Sequence, residues 1–176
     1  MQIITTNDRI DQILDQYQHE LGNDFTKYRG HCYRILNYLL QLKVETHEIP
    51  ILEIAIPFHD LGVWTHHTMD YLDVSSDLAK AYITANKLDI DAFLVEEIIV
   101  NHHKITPVNH QTLAEKMRKA DLIDLSMGII KCGLSRPIVK QIIQEIPFAS
   151  FQSIIFKKVA IHALKHIWNP LPMMKI

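Results

Sequence analysis

The stretch Ile54-Ala55-Ile56-Pro57-Phe58-His59-Asp60-Leu61-Gly62 decides how this chain is read. Leu52, Ile56 and His59 recur at helical spacing, with Ala55 between them, so His59 ends an apolar stripe that faces the interior. Pro57 removes a backbone donor and should kink the helix just before His59, and Gly62 can terminate it. Neighbouring helical residues point about 100° apart. His59 and Asp60 can therefore be a core histidine with a capping aspartate, or an imidazole and a carboxylate on one metal ion. The other inward-facing histidines and aspartates bear on that choice.

Two flanking helices repeat the pattern. Upstream, over about Tyr28 to Lys43, the stripe Ile35, Tyr38, Leu39, Leu42 begins with His31, and Arg34 lies one turn on, able to reach a carboxylate or phosphate. Downstream, Asp89 or Asp91 caps a helix over Phe93 to His103, whose stripe Val95, Ile98, Ile99 runs into His102. His103 is turned about 100° from His102, and Lys104 follows. Such a cluster can complement the helix dipole or hold a phosphate or a second metal.

A further helix is announced by Thr112 and Glu115 as a capping box. Its face of Leu113, Met117, Ala120, Asp121 and Asp124 buries one carboxylate, or two. A buried carboxylate without a partner is expensive, so Asp121 needs a cation. The remaining segments read as packing. Asn7 caps a helix that Gly22 stops near Leu21, with His19 at its surface. Val63 to Asp73 reads as a loop carrying His66 and His67. Ser75 or Ser76 caps a helix to about Asn86. Ser135 and Pro137 open a helix that Pro147 ends, and a last helix runs from about Ser150 to Trp168. In that last helix His162 and His166 are read as core packing, although their i, i+4 spacing can hold zinc.

Composition supports one all-α domain over residues 1–176, with 48% hydrophobic residues and five glycines. No run approaches a membrane span of about 20 residues, and no basic-then-apolar leader opens the sequence. Cys32 and Cys132 are too few for a disulfide framework, so a reduced cytoplasmic protein is expected. The net charge of −2 is unevenly spread. Residues 1–100 hold 7 Lys/Arg against 16 Asp/Glu, and residues 101–176 hold 11 against 4. A basic half beside a metal-type site suits a phosphate-bearing substrate, and the two halves can equally attract each other as packed layers. The balance argues against nucleic acid and membrane as partners. The chain shows no internal repeat, Gly-rich phosphate loop or Cys-x-x-Cys.

His31 in His31-Cys32-Tyr33-Arg34-Ile35, the doublet in Phe58-His59-Asp60-Leu61-Gly62, the run Ile98-Ile99-Val100-Asn101-His102-His103, and Asp121 in Lys119-Ala120-Asp121-Leu122 together resemble the HD domain superfamily of metal-dependent phosphohydrolases. The resemblance covers about residues 25–130, with the helices over 135–168 packing on that core. It implies an HD-type helical bundle in which His31, His59, Asp60 and Asp121 hold a divalent metal. Two imidazoles and two carboxylates without a thiolate suit Mn, Fe, Co, Ni or Zn and leave positions for water and substrate. The implied activity is attack by metal-activated water on a small phosphate ester, a nucleotide among the candidates. His102, His103 and Lys104 are the expected phosphate-binding residues. Leu61, Gly62, Val63 and Trp64 follow the doublet where 5′-nucleotidase-like and guanosine-tetraphosphate-hydrolase-like members place a glutamate. The helix after Ser75 lacks the extra histidine of dinuclear members, which favours one metal over two. Two other readings stand beside hydrolysis: a di-iron oxygenase that recruits His66, His67 or His102, and a metal-binding regulatory module without catalysis.

Overall fold

The computed structural model describes residues 2–109 and 112–174. It is all-α, with no strand among the described residues. The helices are α1 (Asp8–Gln16), α2 (Gln18–Leu21), α3 (Phe25–Gln41), α4 (Ile49–Phe58), α5 (Gly62–Thr65), α6 (Leu72–Ala85), α7 (Ala92–Asn101), α8 (Leu113–Leu125), α9 (Arg136–Glu145) and α10 (Phe151–Lys165).

Four of them make a closed ring. α3 packs on α4 and α8, and α7 packs on the same two. Nearly every residue of α3 from His31 to Leu39 is buried, which makes it the central helix. α4, Ile-Pro-Ile-Leu-Glu-Ile-Ala-Ile-Pro-Phe, is apolar on almost every side because it is covered on almost every side. α1 lies against α4, α6 against α7 and α4, and α9 and α10 against α3. Among the described residues no helix is long and apolar enough to cross a membrane.

Local chemistry sets most of the boundaries. The Asn7 side chain accepts from the Arg9 and Ile10 amides and starts α1. Asp91 does the same for α7, and Thr112 accepts from Glu115 N at α8. Only half of the expected capping box forms there. The Glu115 carboxylate is taken by Arg118 and by the Val108 amide.

Other expectations are corrected. The helix through Pro57 does not kink and continue. It ends at Phe58, one residue past the proline, and the chain passes through tight turns (Leu61 N to Phe58 O, 3.0 Å) into α5. Gly62 begins α5 instead of stopping α4. Val63 and Trp64 are helical, and the loop is confined to the residues between α5 and α6. Ser75 and Ser76 lie buried inside α6 and cap nothing. The Ser75 hydroxyl accepts from the Gly62 amide at 3.0 Å. The first helix breaks at Tyr17, and the last ends at Lys165. His162 is only partly buried and His166 is exposed, so neither is core packing. Large apolar side chains elsewhere on that segment, Leu164 and Trp168 among them, also face outward.

Gly62 is required by closeness. A Cβ there would lie 2.8 Å from Tyr71 O and 3.0 Å from Tyr71 Cβ, where backbone cannot yield. Gly62→Ala is expected to cost about 1–3 kcal/mol by overpacking. Urea denaturation checks this; an unchanged midpoint would mean that the α5–α6 corner is slack.

Candidate metal centre

The ring of helices aims its polar side chains at one buried point. α3 supplies His31, the end of α4 supplies His59 and Asp60, the end of α7 supplies His102 and His103, and α8 supplies Asp121. His31 Nε2 lies 3.0 Å from His59 Nε2 and 3.6 Å from carboxylate oxygens of both Asp60 and Asp121. His59 Nε2 is 3.4 Å from Asp60 Oδ2, and His102 Nε2 is 3.3 Å from Asp60 Oδ1. His103 Nδ1 is 3.4 Å from Asp121 Oδ2.

The outer partners of the histidines fix where their lone pairs point. His59 Nδ1 donates to Ile56 O at 2.6 Å, and His102 Nδ1 donates to Ile99 O. A carbonyl can only accept, so in each ring the proton is on Nδ1 and the Nε2 lone pair faces the centre. His31 Nδ1 donates to Asp124 Oδ2 at 2.7 Å, with the same consequence. With these three rings neutral, three lone pairs and two carboxylates therefore converge with no hydrogen-bond donor among them.

Asp121 shows the deficit most plainly. Both of its oxygens are buried and neither makes a hydrogen bond. Burial pushes its carboxyl up to about 7, against the pull of His102 and His31. Burial would push His31 down, but its hydrogen bonds to Asp124 and Asp60 outweigh that and hold it at about 9. Asp60 is also opposed by burial, yet its neighbours His59 and His102 hold it well below the carboxylate range. His103 is held well down by burial and by His102. Without a cation, protons must fill the centre. The donor set fits a divalent ion instead, and three groupings could hold one: His31, His59 and Asp121; His59, Asp60 and His102; and His102, His103 and Asp121.

All four expected ligands thus share the cluster, although they do not close as a single grouping. His102, expected at the substrate, lies inside the cluster and is buried, whereas Lys104 lies at its edge. His66 and His67 are outside it.

Asp124 has a different role from Asp121, and the structure shows the reason. Its carboxylate takes two hydrogen bonds from Arg34 (2.6 and 2.9 Å), one from His31 and one from Gln152 (3.1 Å). Arg34 is wholly buried, donates also to Pro147 O, and stacks on Phe148 at 4.7 Å. Asp124 is a saturated acceptor that orients His31, and Arg34 neutralises it. Arg34 one turn after His31 was a sequence signal for this. Gln152 and Tyr71 left none, because both reach the site from other parts of the chain. The Tyr71 hydroxyl lies 2.7 Å from His103 Nε2.

The cluster opens beside His103. The side chain of His103 is 12% exposed, against 0–3% for His31, Asp60, His102 and Asp121. A pocket of about 270 Å³ adjoins it, walled by Lys104, Ile105, Leu122, Leu125 and Met174, with Asp121 at its floor.

Two outcomes follow. Asp121→Asn should leave no metal after dialysis. Asp124→Asn, which keeps one acceptor oxygen for Arg34, should retain it with about 10–100-fold weaker affinity. Elemental analysis and competition with a chromophoric chelator check both, and equal loss would merge the two roles. In metal-free protein His31 titrates above its unfolded value, so its stabilisation is complete below about 6.5 and is lost as pH rises through about 9. The Asp121 carboxyl acts in the same direction and has largely spent its share by pH 7.5. Stripped protein should therefore melt lower at pH 9 than at pH 7.5, and saturating divalent ion should remove the drop. A melting temperature that rises over this window without metal would contradict the assignment.

Comparison of the chain with family models, with curated proteins and with solved structures gave no match. What is established of this site is a buried His/Asp cluster able to bind a metal ion.

Proposed function

We propose that this protein is a metal-dependent phosphohydrolase of the HD type acting on a small phosphate ester, with nucleotides among the candidate substrates. One observation carries the reading. Asp121 is a buried carboxylate with no hydrogen-bond donor among the described residues, set among imidazoles whose lone pairs face it, at the floor of the pocket beside His103. His31, His59, Asp60 and Asp121 would hold the ion, with His102 able to join them. A divalent ion there supplies Lewis acidity, giving a nucleophilic water near neutral pH and polarising the phosphoryl oxygen.

The chain's own residues divide the other tasks. Burial raises the Tyr71 hydroxyl well above its usual range, so it stays protonated and can donate to His103 Nε2. That leaves the His103 proton on Nδ1, where the neutral ring can donate a hydrogen bond to a phosphoryl oxygen as charge develops on it. Lys104 has no carboxylate partner among the described residues and stands at the rim to meet phosphate charge. Arg118, on the same wall, is already committed to Glu115 at 2.7 and 2.9 Å. Ile105, Leu122, Leu125 and Met174 give the rest of the pocket an apolar wall.

A screen of phosphomonoesters, phosphodiesters and nucleotides with Mn, Fe, Co, Ni and Zn tests the reading. Metal-dependent turnover of at least one ester is expected. His103→Ala should lower kcat by about 10²-fold or more with metal content kept. Lys104→Ala should mainly raise KM. No turnover with any ester and metal would leave a binding module. The position of His102 inside the cluster also suits a two-iron oxygenase. Two irons per chain and visible colour after anaerobic purification would favour it over hydrolysis.

A further inference from the structure

A second polar pocket lies along the later turns of α10. It has a volume of about 270 Å³ between α10 and the loop after α5, and is lined by His67, Thr68, Lys158, His162, Lys165 and His166 among others. Three imidazoles and two ammonium groups face this space, and no carboxylate lines it. Lys158 and Lys165 have no ion-pair partner among the described residues. Residues 146–176, which include all of α10, contain no Asp or Glu. The His162 and His166 rings are stacked with centroids 4.3 Å apart. His162 Nε2 donates to Asn169 O at 3.3 Å, so the ring N–H groups open to a ligand in the neutral state are those of His67 and His166. Among the described residues, the groupings able to hold an ion all lie at the buried centre and none lies here. The pocket presents a concave group of polar and positively charged side chains with no carboxylate in its lining.

We propose that this pocket binds a small, multiply charged phosphoryl anion, and that the anion ties α10 to the loop after α5. Two ammonium groups and these ring N–H groups match the many acceptor oxygens of such an anion. A path of contacts leads from it to the metal centre. Lys158 Nζ sits over the Trp64 ring at 5.7 Å, and Trp64 stacks on Phe151 at 6.4 Å. Phe151 stacks on His31 at 4.1 Å, and the next residue, Gln152, donates to Asp124. The first turn of α10 therefore touches what orients His31, and its second half lines the anion pocket. Among the described residues nothing covers the outward face of α10, where Phe156 and Leu164 are exposed. An anion gripping its inner side would hold the helix in place.

The proposal does not depend on hydrolysis, and Asp121→Asn separates the two sites. Inorganic phosphate and pyrophosphate are titrated calorimetrically into full-length Asp121→Asn protein and into the same protein carrying Lys158→Gln and Lys165→Gln. Saturable binding is expected in the first and a loss of about tenfold or more in the second. Tryptic cleavage after Lys157, a site both proteins keep, should slow by about fivefold at saturating phosphate in the first protein only. Absence of binding in Asp121→Asn would overturn the proposal, since phosphate would then bind only at the metal centre. Equal affinity in the two proteins, or cleavage that phosphate leaves unchanged, would overturn it as well.

Discussion

Three imidazole lone pairs and two carboxylates meet in a dry space without a donor, and the rest of the structure follows from that constraint. Such a centre is unfavourable unless a cation sits in it. Each Nδ1–H is spent outside, on Ile56 O, Ile99 O or Asp124. Each Nε2 is thereby committed inward. Protons can also fill the centre: burial holds Asp121, and hydrogen bonds to Asp124 and Asp60 hold His31, above their usual ranges. A divalent ion does the same with one particle and at higher pH.

The fold is the means of holding those groups in place. α3, α4, α7 and α8 close a ring, and each brings its ligand type from a buried stripe or a helix end. Asp124 shows how much is spent on orientation alone. A fully buried arginine, a glutamine from α10 and a histidine all converge on it, and none of this bonding is available to the centre itself. Removing Asp124 would leave Arg34 as an uncompensated buried charge, so this network supports both fold and site.

The sequence carried the centre unevenly. His31 and His59 could be read because each extends an apolar stripe at helical spacing, and an inward histidine is legible one helix at a time. Asp121 and Asp124 could not be separated, since both lie on one face three residues apart. Their difference comes from Arg34 and Gln152, 90 and 28 residues away along the chain. Ser75 and Gly62 were misread for a related reason. Both are common capping and stopping residues, yet here they touch each other across a corner where side-chain size decides. His162 and His166 have the spacing of a buried pair. They lie at the surface because α10 packs only its first turn deeply.

The most direct measurement of the central claim is the number of protons released when a divalent ion binds. Calorimetric titration of Mn or Zn into stripped protein at pH 7.5, in buffers of different ionisation enthalpy, gives that number. If the ion takes the place of protons at His31 and Asp121, at least about one proton should leave per ion bound, and fewer should leave at pH 9. Binding without proton release, or no binding, would contradict a metal-filled centre.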